Sequence, residues 1–285
     1  MGLRSAEQYL AGLKDLRTVF YGGEAVKDVT AHPALGLAAD HGATVFDYAR
    51  ESPDLFTYDS EYGERCSAYF KIPRSSQDLL QRAALIEETT RRCRSTFNII
   101  KAVGTDALDA LHVVAARMDR DLGSSYLERV RAYHRHCAVN DLSMALAQTD
   151  VKGDRALRPH EQANPDAFVR IVERRPDGIV VRGAKAHTTM APVVDELIVI
   201  PTRALSAADR DYAVAFAVPA GTLGVKMVCR TIGDKSLSPF DFPVSRRNVE
   251  IESLTLFADV FVPWERVFLA GEWEWAGPLA TTFAQ

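Results

Sequence analysis

Apolar residues recur at intervals of three and four through the first half of the chain and at intervals of two through the second, and the change falls near residue 147. In the first half, Leu10, Leu13 and Leu16 share a helical face of residues 5–18. Residues 75–103 open on Ser75, whose hydroxyl can cap a helix, and run without glycine or proline until Gly104, which predicts one long helix. Two more helices are expected over 105–121 and 124–146, separated by Gly123-Ser124-Ser125.

Beyond Gln148 the reading switches to strands. AFVRIVERR and IVVRGAKAH flank Pro176-Asp177-Gly178, a hairpin signal. ELIVIPT, DYAVAFAVP, VKMVC, VEIESLTLF and DVFVP follow at spacings suited to an antiparallel barrel or a sandwich. The expected fold is therefore α+β: a helical domain over 1–147, an antiparallel β-barrel domain over 148–270, and the start of a helical element over 271–285. A helix ending at Gln285 could bury only one short face, so a third, helical domain is expected to be missing from this chain.

Composition narrows the function. At 285 residues the chain fits roughly two domains of ordinary size. It carries 34 basic and 38 acidic residues for a net charge of -4, with no like-charge block, so no nucleic-acid partner is expected. No apolar run reaches the ~18 residues of a membrane helix and no secretory leader opens the chain, so no membrane partner and a cytoplasmic location are expected. Cys66, Cys93, Cys137 and Cys229 are too dispersed for a disulfide framework and read as buried thiols. His134, His136 and Cys137 stand at helical positions that face apart, so no metal site is assigned.

Nucleophile-elbow, zinc-protease and dinucleotide signatures are absent. Two polar segments remain. Gln148, Thr149, Asp150, Lys152, Gly153, Asp154 and Arg155 form a charged turn where the helical half meets the sheet half, a place where ligand sites concentrate. The same residues suit a solvated linker in which Lys152 and Arg155 pair with Asp150 and Asp154. At the end of an apolar strand, alternation puts His187 and Thr189 on one face and Thr188 on the other. An imidazole and a hydroxyl there can hydrogen-bond a flat heterocycle, or can form a hydroxyl ladder on an exposed strand.

The segments TDVKGDRALRPHEQANPDAFVRIVERRPDGIVVRGAKAHTT, DYAVAFAVPA and FADVFVPWERVFLAGEWEWAG occur in the order of the 4-hydroxyphenylacetate 3-hydroxylase family, which the chain resembles over nearly its whole length. That family includes reduced-flavin aromatic monooxygenases and 4-hydroxybutyryl-CoA dehydratases; the K-G-D-R and R-G-A-K-A-H wording is closest to the second branch. The resemblance implies an acyl-CoA-dehydrogenase-like architecture, a tetramer, and FAD held by Gln148 to Arg155 and His187 to Thr189. It also implies a substrate-binding role for Arg94, which could equally be a surface helix charge, and an active-site role for Glu252, which could equally face solvent.

Departures from the family pattern qualify those roles. The two positions that carry cluster-ligating cysteines in the dehydratase branch are Asn98 and Ala102, and neither offers a thiolate, so no iron–sulfur cluster is expected. Asn98 also replaces a substrate-facing Tyr, Leu146 a His used on the phenol, and Met190-Ala191 a common Gly-Ser. The leading expectation is an enzyme that takes FADH2 from a separate flavin reductase and hydroxylates a small phenolic substrate. The alternatives are a CoA-thioester dehydratase or isomerase with Glu252 as base, and a non-catalytic subunit covered by a partner.

Overall fold

In the computed structural model residues 2–94, 96–151, 153–233, 238 and 240–284 are described. The chain begins with α1 (Ala6–Gly12), fixed by a capping box in which the Ser5 hydroxyl accepts from the Gln8 N–H and the Gln8 side chain accepts from the Ser5 N–H. The helix expected over 5–18 stops there, and Leu16 is exposed. A hairpin follows, β1 (Thr18–Tyr21) and β2 (Glu24–Val26), then α2 (Leu35–Glu51), α3 (Pro53–Phe56) and a second hairpin, β3 (Thr57–Asp59) with β4 (Arg65–Ser67).

The long helix expected over 75–103 is two helices. Ser75 caps α4 (Ser76–Arg92) as predicted, but the chain breaks at Cys93 and Arg94, where Arg94 takes φ +53°, and α5 (Ile99–Leu122) starts afresh at Asn98. Gly104, expected to end a helix, lies inside α5. A Cβ there would come within 2.4 Å of Met144 Cβ, so glycine lets α5 lie directly on the strand that carries Met144. α6 (Tyr126–Val139) ends well before residue 146, and Met144–Ala147 is instead a strand, β5.

The remaining strands fall where the two-residue pattern placed them: β6 (Arg170–Arg175), β7 (Gly178–Thr189), β8 (Glu196–Val199), β9 (Val214–Pro219), β10 (Val225–Cys229), β11 (Glu252–Pro263) and β12 (Val267–Ala270), followed by α7 (Ala276–Phe283). β6 and β7 pair Arg175 with Gly178 across Pro176-Asp177, the predicted hairpin. The barrel expectation is corrected. One sheet runs β2-β1-β10-β11-β7-β6 and another β12-β9-β8-β5, and among the described residues neither closes on itself. Both are mixed, because β1 runs parallel to β10 and β5 parallel to β8. Residues 18–26, from the helical half, therefore lie in the larger sheet.

The core binds these layers together. Phe216 of β9 meets Phe257 of β11 edge-on at 5.5 Å between ring centroids, joining the two sheets. One apolar cluster runs from Tyr9 and Phe46 through both sheets, and another packs α5, α6 and α7 on the outer face of β9 and β12. Each large side chain buried in this way contributes roughly 1.5–3 kcal/mol. α5, β5 and β7 meet at one seam.

Candidate functional site

At that seam lies a cleft of about 620 Å³ lined by Thr96, Phe97, Ile99, Val103, Met144, Ala145, Leu146, Thr189, Asn248 and Glu250. The two misread stretches build it. The break before α5 supplies Thr96 and Phe97, and β5, held close by Gly104, supplies Met144 to Leu146. Its floor is apolar, and its polar groups sit at the end of β7 and in the approach to β11.

Thr189 and Glu252 are paired across β7 and β11, and the Thr189 hydroxyl donates to Glu252 Oε1 at 2.8 Å. Glu252 Oε2 is buried without a partner, and so is Thr188 Oγ1 one residue away. Between the lining residues Phe97 and Ile99, Asn98 Nδ2 donates to His41 O at 2.8 Å while its Oδ1 has no partner. The His41 ring lies against the Phe97 backbone and the Asn248 side chain, but neither contact reaches hydrogen-bond geometry and both ring nitrogens are unpartnered. Burial holds this imidazole below its usual pKa and thus neutral. Among the described residues the buried side-chain polar atoms without a partner are those of His41, Asn98, Thr188 and Glu252, which lie beneath the cleft lining as chain neighbours or partners of Phe97 and Thr189, and His112 Nε2 elsewhere. Native interiors leave few such atoms, and where they gather a water or ligand atom is called for.

Glu250, on the solvent side of the same cleft, has its carboxyl pushed up by desolvation and then by the charge of Glu252. Asn248 Nδ2 donates to Cys93 O at 2.6 Å and pins the segment before β11 to the break before α5. Sequence reasoning named Glu252 and missed Glu250 and Asn248. The two-residue spacing of Glu250 and Glu252 was the available signal; nothing in the sequence marked His41.

The other expected residues divide. Of those assigned to the cofactor, Thr189 lines the cleft. Thr188 is fully buried between half-buried Thr189 and exposed His187. A bulge sets Lys185 and Thr188 opposite Thr255 and Ser253, and His187 adopts φ +56° within it. Gln148, Thr149 and Asp150 lie against the same strand, but as structural members. Lys185 Nζ donates to Gln148 O at 2.8 Å and Ile200 O at 2.9 Å and pairs with Asp150 Oδ1 at 2.5 Å. Thr202 donates to Asp150 Oδ2, and the Ala186 N–H to Thr149 O. The gap beside this cluster measures about 10 Å³, no more than one water occupies. Asp154 and Arg155 are exposed; Asp154 accepts from the Ala156 N–H, and its N–H donates to Gln162. Lys152 lies outside the described residues. Arg94 lines a neighbouring hollow with Phe242, Pro243, Arg246 and Arg247 rather than the cleft.

The cysteines are buried free thiols. His134 is committed to structure, with Nε2 on Phe70 O at 2.9 Å and Nδ1 taking the Tyr62 hydroxyl at 2.8 Å, and burial pushes its pKa down to about 4. No described helix is long and apolar enough to cross a membrane.

Helices packed on two open mixed sheets, with an apolar-floored and polar-edged cleft at their seam, define a fold of mixed α/β type. The family model described as "4-hydroxyphenylacetate 3-hydroxylase N terminal" matches residues 5–269, and the chain belongs to this family. It is 34% identical over 291 residues to a 4-hydroxybutyryl-CoA dehydratase/vinylacetyl-CoA-Delta-isomerase of Clostridium aminobutyricum, covering 99% of this chain and 59% of that protein. It is 34% identical over 274 residues to the 4-hydroxyphenylacetate 3-monooxygenase oxygenase component of Thermus thermophilus, covering 95% and 56%. A crystal structure of such an oxygenase component complexed with FAD superposes with a TM-score of 0.87 at 32% identity, covering 99% of this chain and 57% of that one. The chain thus spans less than three fifths of the length of these relatives.

Proposed function

We propose that this chain carries the flavin-edge and substrate pocket of a reduced-flavin-dependent monooxygenase that hydroxylates a phenolic substrate. The observation that carries the reading is the cleft itself, an apolar bed of Phe97, Ile99, Val103 and Met144 to Leu146 edged by the polar side chains of Thr189, Asn248 and Glu250. Support also comes from the relatives named as oxygenase components and from the FAD bound in one of them. The residues suit a flavin. Phe97, Ile99, Val103 and Met144 to Leu146 form an apolar bed for a flat ring. The lone pairs of Thr189 Oγ1, whose hydrogen is committed to Glu252, and the Glu250 carboxyl offer acceptors at its edge. An acceptor-rich edge favours the reduced ring, which carries more N–H groups than the oxidised one.

When bound, reduced FAD supplies the electrons and the dioxygen-activating chemistry. The protein's own residues do the rest. Thr189 and Glu252 orient the ring, and the apolar bed keeps water from it. Glu250, whose carboxyl holds a proton more tightly than usual, is placed to take the phenol proton as general base. Arg94, expected to stabilise the phenolate, lines the neighbouring hollow and is given no part in this cleft. In this reading the domain arrangement is acyl-CoA-dehydrogenase-like. A separate reductase delivers FADH2, consistent with relatives named as oxygenase components. Family resemblance adds assembly as a tetramer, and composition adds action in the cytoplasm.

Incubation of the protein with chemically reduced FAD, dioxygen and a panel of phenols tests this. Hydroxylated product is expected; peroxide release without product from any phenol contradicts it.

The paired carboxylates Glu250 and Glu252 favour a second reading, proton abstraction from a CoA thioester, in keeping with the dehydratase relative. Asn98 and Ala102 do not fit an iron–sulfur cluster, since an amide and a methyl group give iron no thiolate. Iron and sulfide analysis separates the readings: stoichiometric iron favours the second.

A further inference from the structure

Apart from the cleft, a separate hollow of about 530 Å³ is lined by Arg94, Phe242, Pro243, Arg246 and Arg247. Its charge is one-sided. Arg91 and Arg92, at the end of α4, are neutralised by Glu88, and Arg92 also by Glu51. Arg94, Arg246 and Arg247 have no carboxylate partner and make no side-chain hydrogen bond among the described residues. Three like charges gathered in one hollow repel one another, and the fold holds them there. Arg94 sits on a turn with φ +53°. Arg247 and Asn248 donate their N–H groups to Val244 O at 3.0 and 3.1 Å, and Asn248 Nδ2 clamps that second turn to Cys93 O at 2.6 Å.

We propose that this hollow is a binding site for a phosphate or diphosphate group. Guanidinium forks match the paired oxygens of a phosphate, and three of them supply more donors than a single carboxylate can use. Phe242 and Pro243 give the site an apolar wall for whatever carries the phosphate. Asn248 faces the cleft while Arg246 and Arg247 line the hollow, and Phe97 faces the cleft while Arg94 lines the hollow. The two spaces thus draw their linings from the same two stretches of chain. The phosphate belongs either to the flavin's diphosphate or to a phosphate-bearing substrate tail. The site itself is independent of the flavin reading; only its link to the cleft rests on that reading.

Calorimetric titration of the 285-residue chain with pyrophosphate and with ADP tests the proposal, using R246Q/R247Q and R94Q variants checked for fold by circular dichroism. Binding to the wild-type protein that weakens with added salt, and that falls roughly ten-fold or more in the double variant, supports it. No binding of either probe, or equal affinity in wild type and double variant, overturns it. Repeating the titration in the presence of FAD separates the sources. Competition assigns the site to the flavin's diphosphate, independent binding assigns it to a substrate tail, and both sustain a phosphate site. Pyrophosphate binding without any FAD binding leaves the hollow standing and removes the flavin reading alone.

Discussion

Two polar clusters lie within a few residues of each other on β7, and they are built on opposite plans. Around Lys185 every donor and acceptor is used: the ammonium has Asp150, Gln148 O and Ile200 O, and Asp150 has Thr202 as well. Around Thr188 and Thr189 the accounts stay open: Thr188 Oγ1 and Glu252 Oε2 lack partners, and Thr189 itself lines the cleft. The closed cluster stabilises a junction. The open one is where we propose a ligand sits. The lesson is that polarity at a domain seam does not by itself mark a site; unmet hydrogen-bonding capacity next to free volume does.

Substitutions sharpen the contrast, and the largest effect belongs to the closed cluster. Asp150→Ala leaves the Lys185 charge buried and short of its counter-ion, so a loss of about 3 kcal/mol or more is expected in chemical denaturation. Thr189→Val removes one hydrogen bond and should cost only about 1 kcal/mol of stability, while weakening flavin binding roughly ten-fold in a fluorescence titration. A stability loss in Thr189→Val as large as that in Asp150→Ala would erase the distinction.

Much of this was legible in the sequence, for physical reasons. The alternating runs 179–187 and 214–219 became β7 and β9, and Thr189 at the end of its strand proved to face the cleft. The cleft walls were not legible. Residues 144–147 are a short apolar run that continues the helical pattern of α6, and only parallel pairing with β8 makes them a strand. The break between α4 and α5 depends on the left-handed turn at Arg94 and on Asn248 reaching Cys93 O, both set by tertiary contacts. The partner of Asp150 was not legible either: its charge and its place at the junction suggested a ligand, and Lys185, with which it pairs, lies far along the chain.

Smaller effects probe the open cluster further. Glu250 has a raised pKa in the folded protein, so the folded form holds that proton more tightly than the unfolded one. Stability should therefore fall as pH rises from the ordinary carboxylate range through the raised value. Glu250→Gln should remove that fall and gain under about 1 kcal/mol at neutral pH, since solvent screens a partly exposed group; thermal melts across pH check it. Thr188→Val, which exchanges an unpartnered buried hydroxyl for a methyl of the same shape, should be neutral or slightly stabilising in the ligand-free protein.

The central claim is that the end of β7 is an acceptor-rich edge made for a flavin ring. Anaerobic equilibrium titration with reduced and with oxidised FAD, on wild type and Thr189→Val, tests it most directly. The account predicts tighter binding of the reduced form by the wild-type protein and loss of most of that preference in the variant. Equal affinities for the two redox forms in the wild type, or a variant indistinguishable from it, would contradict it.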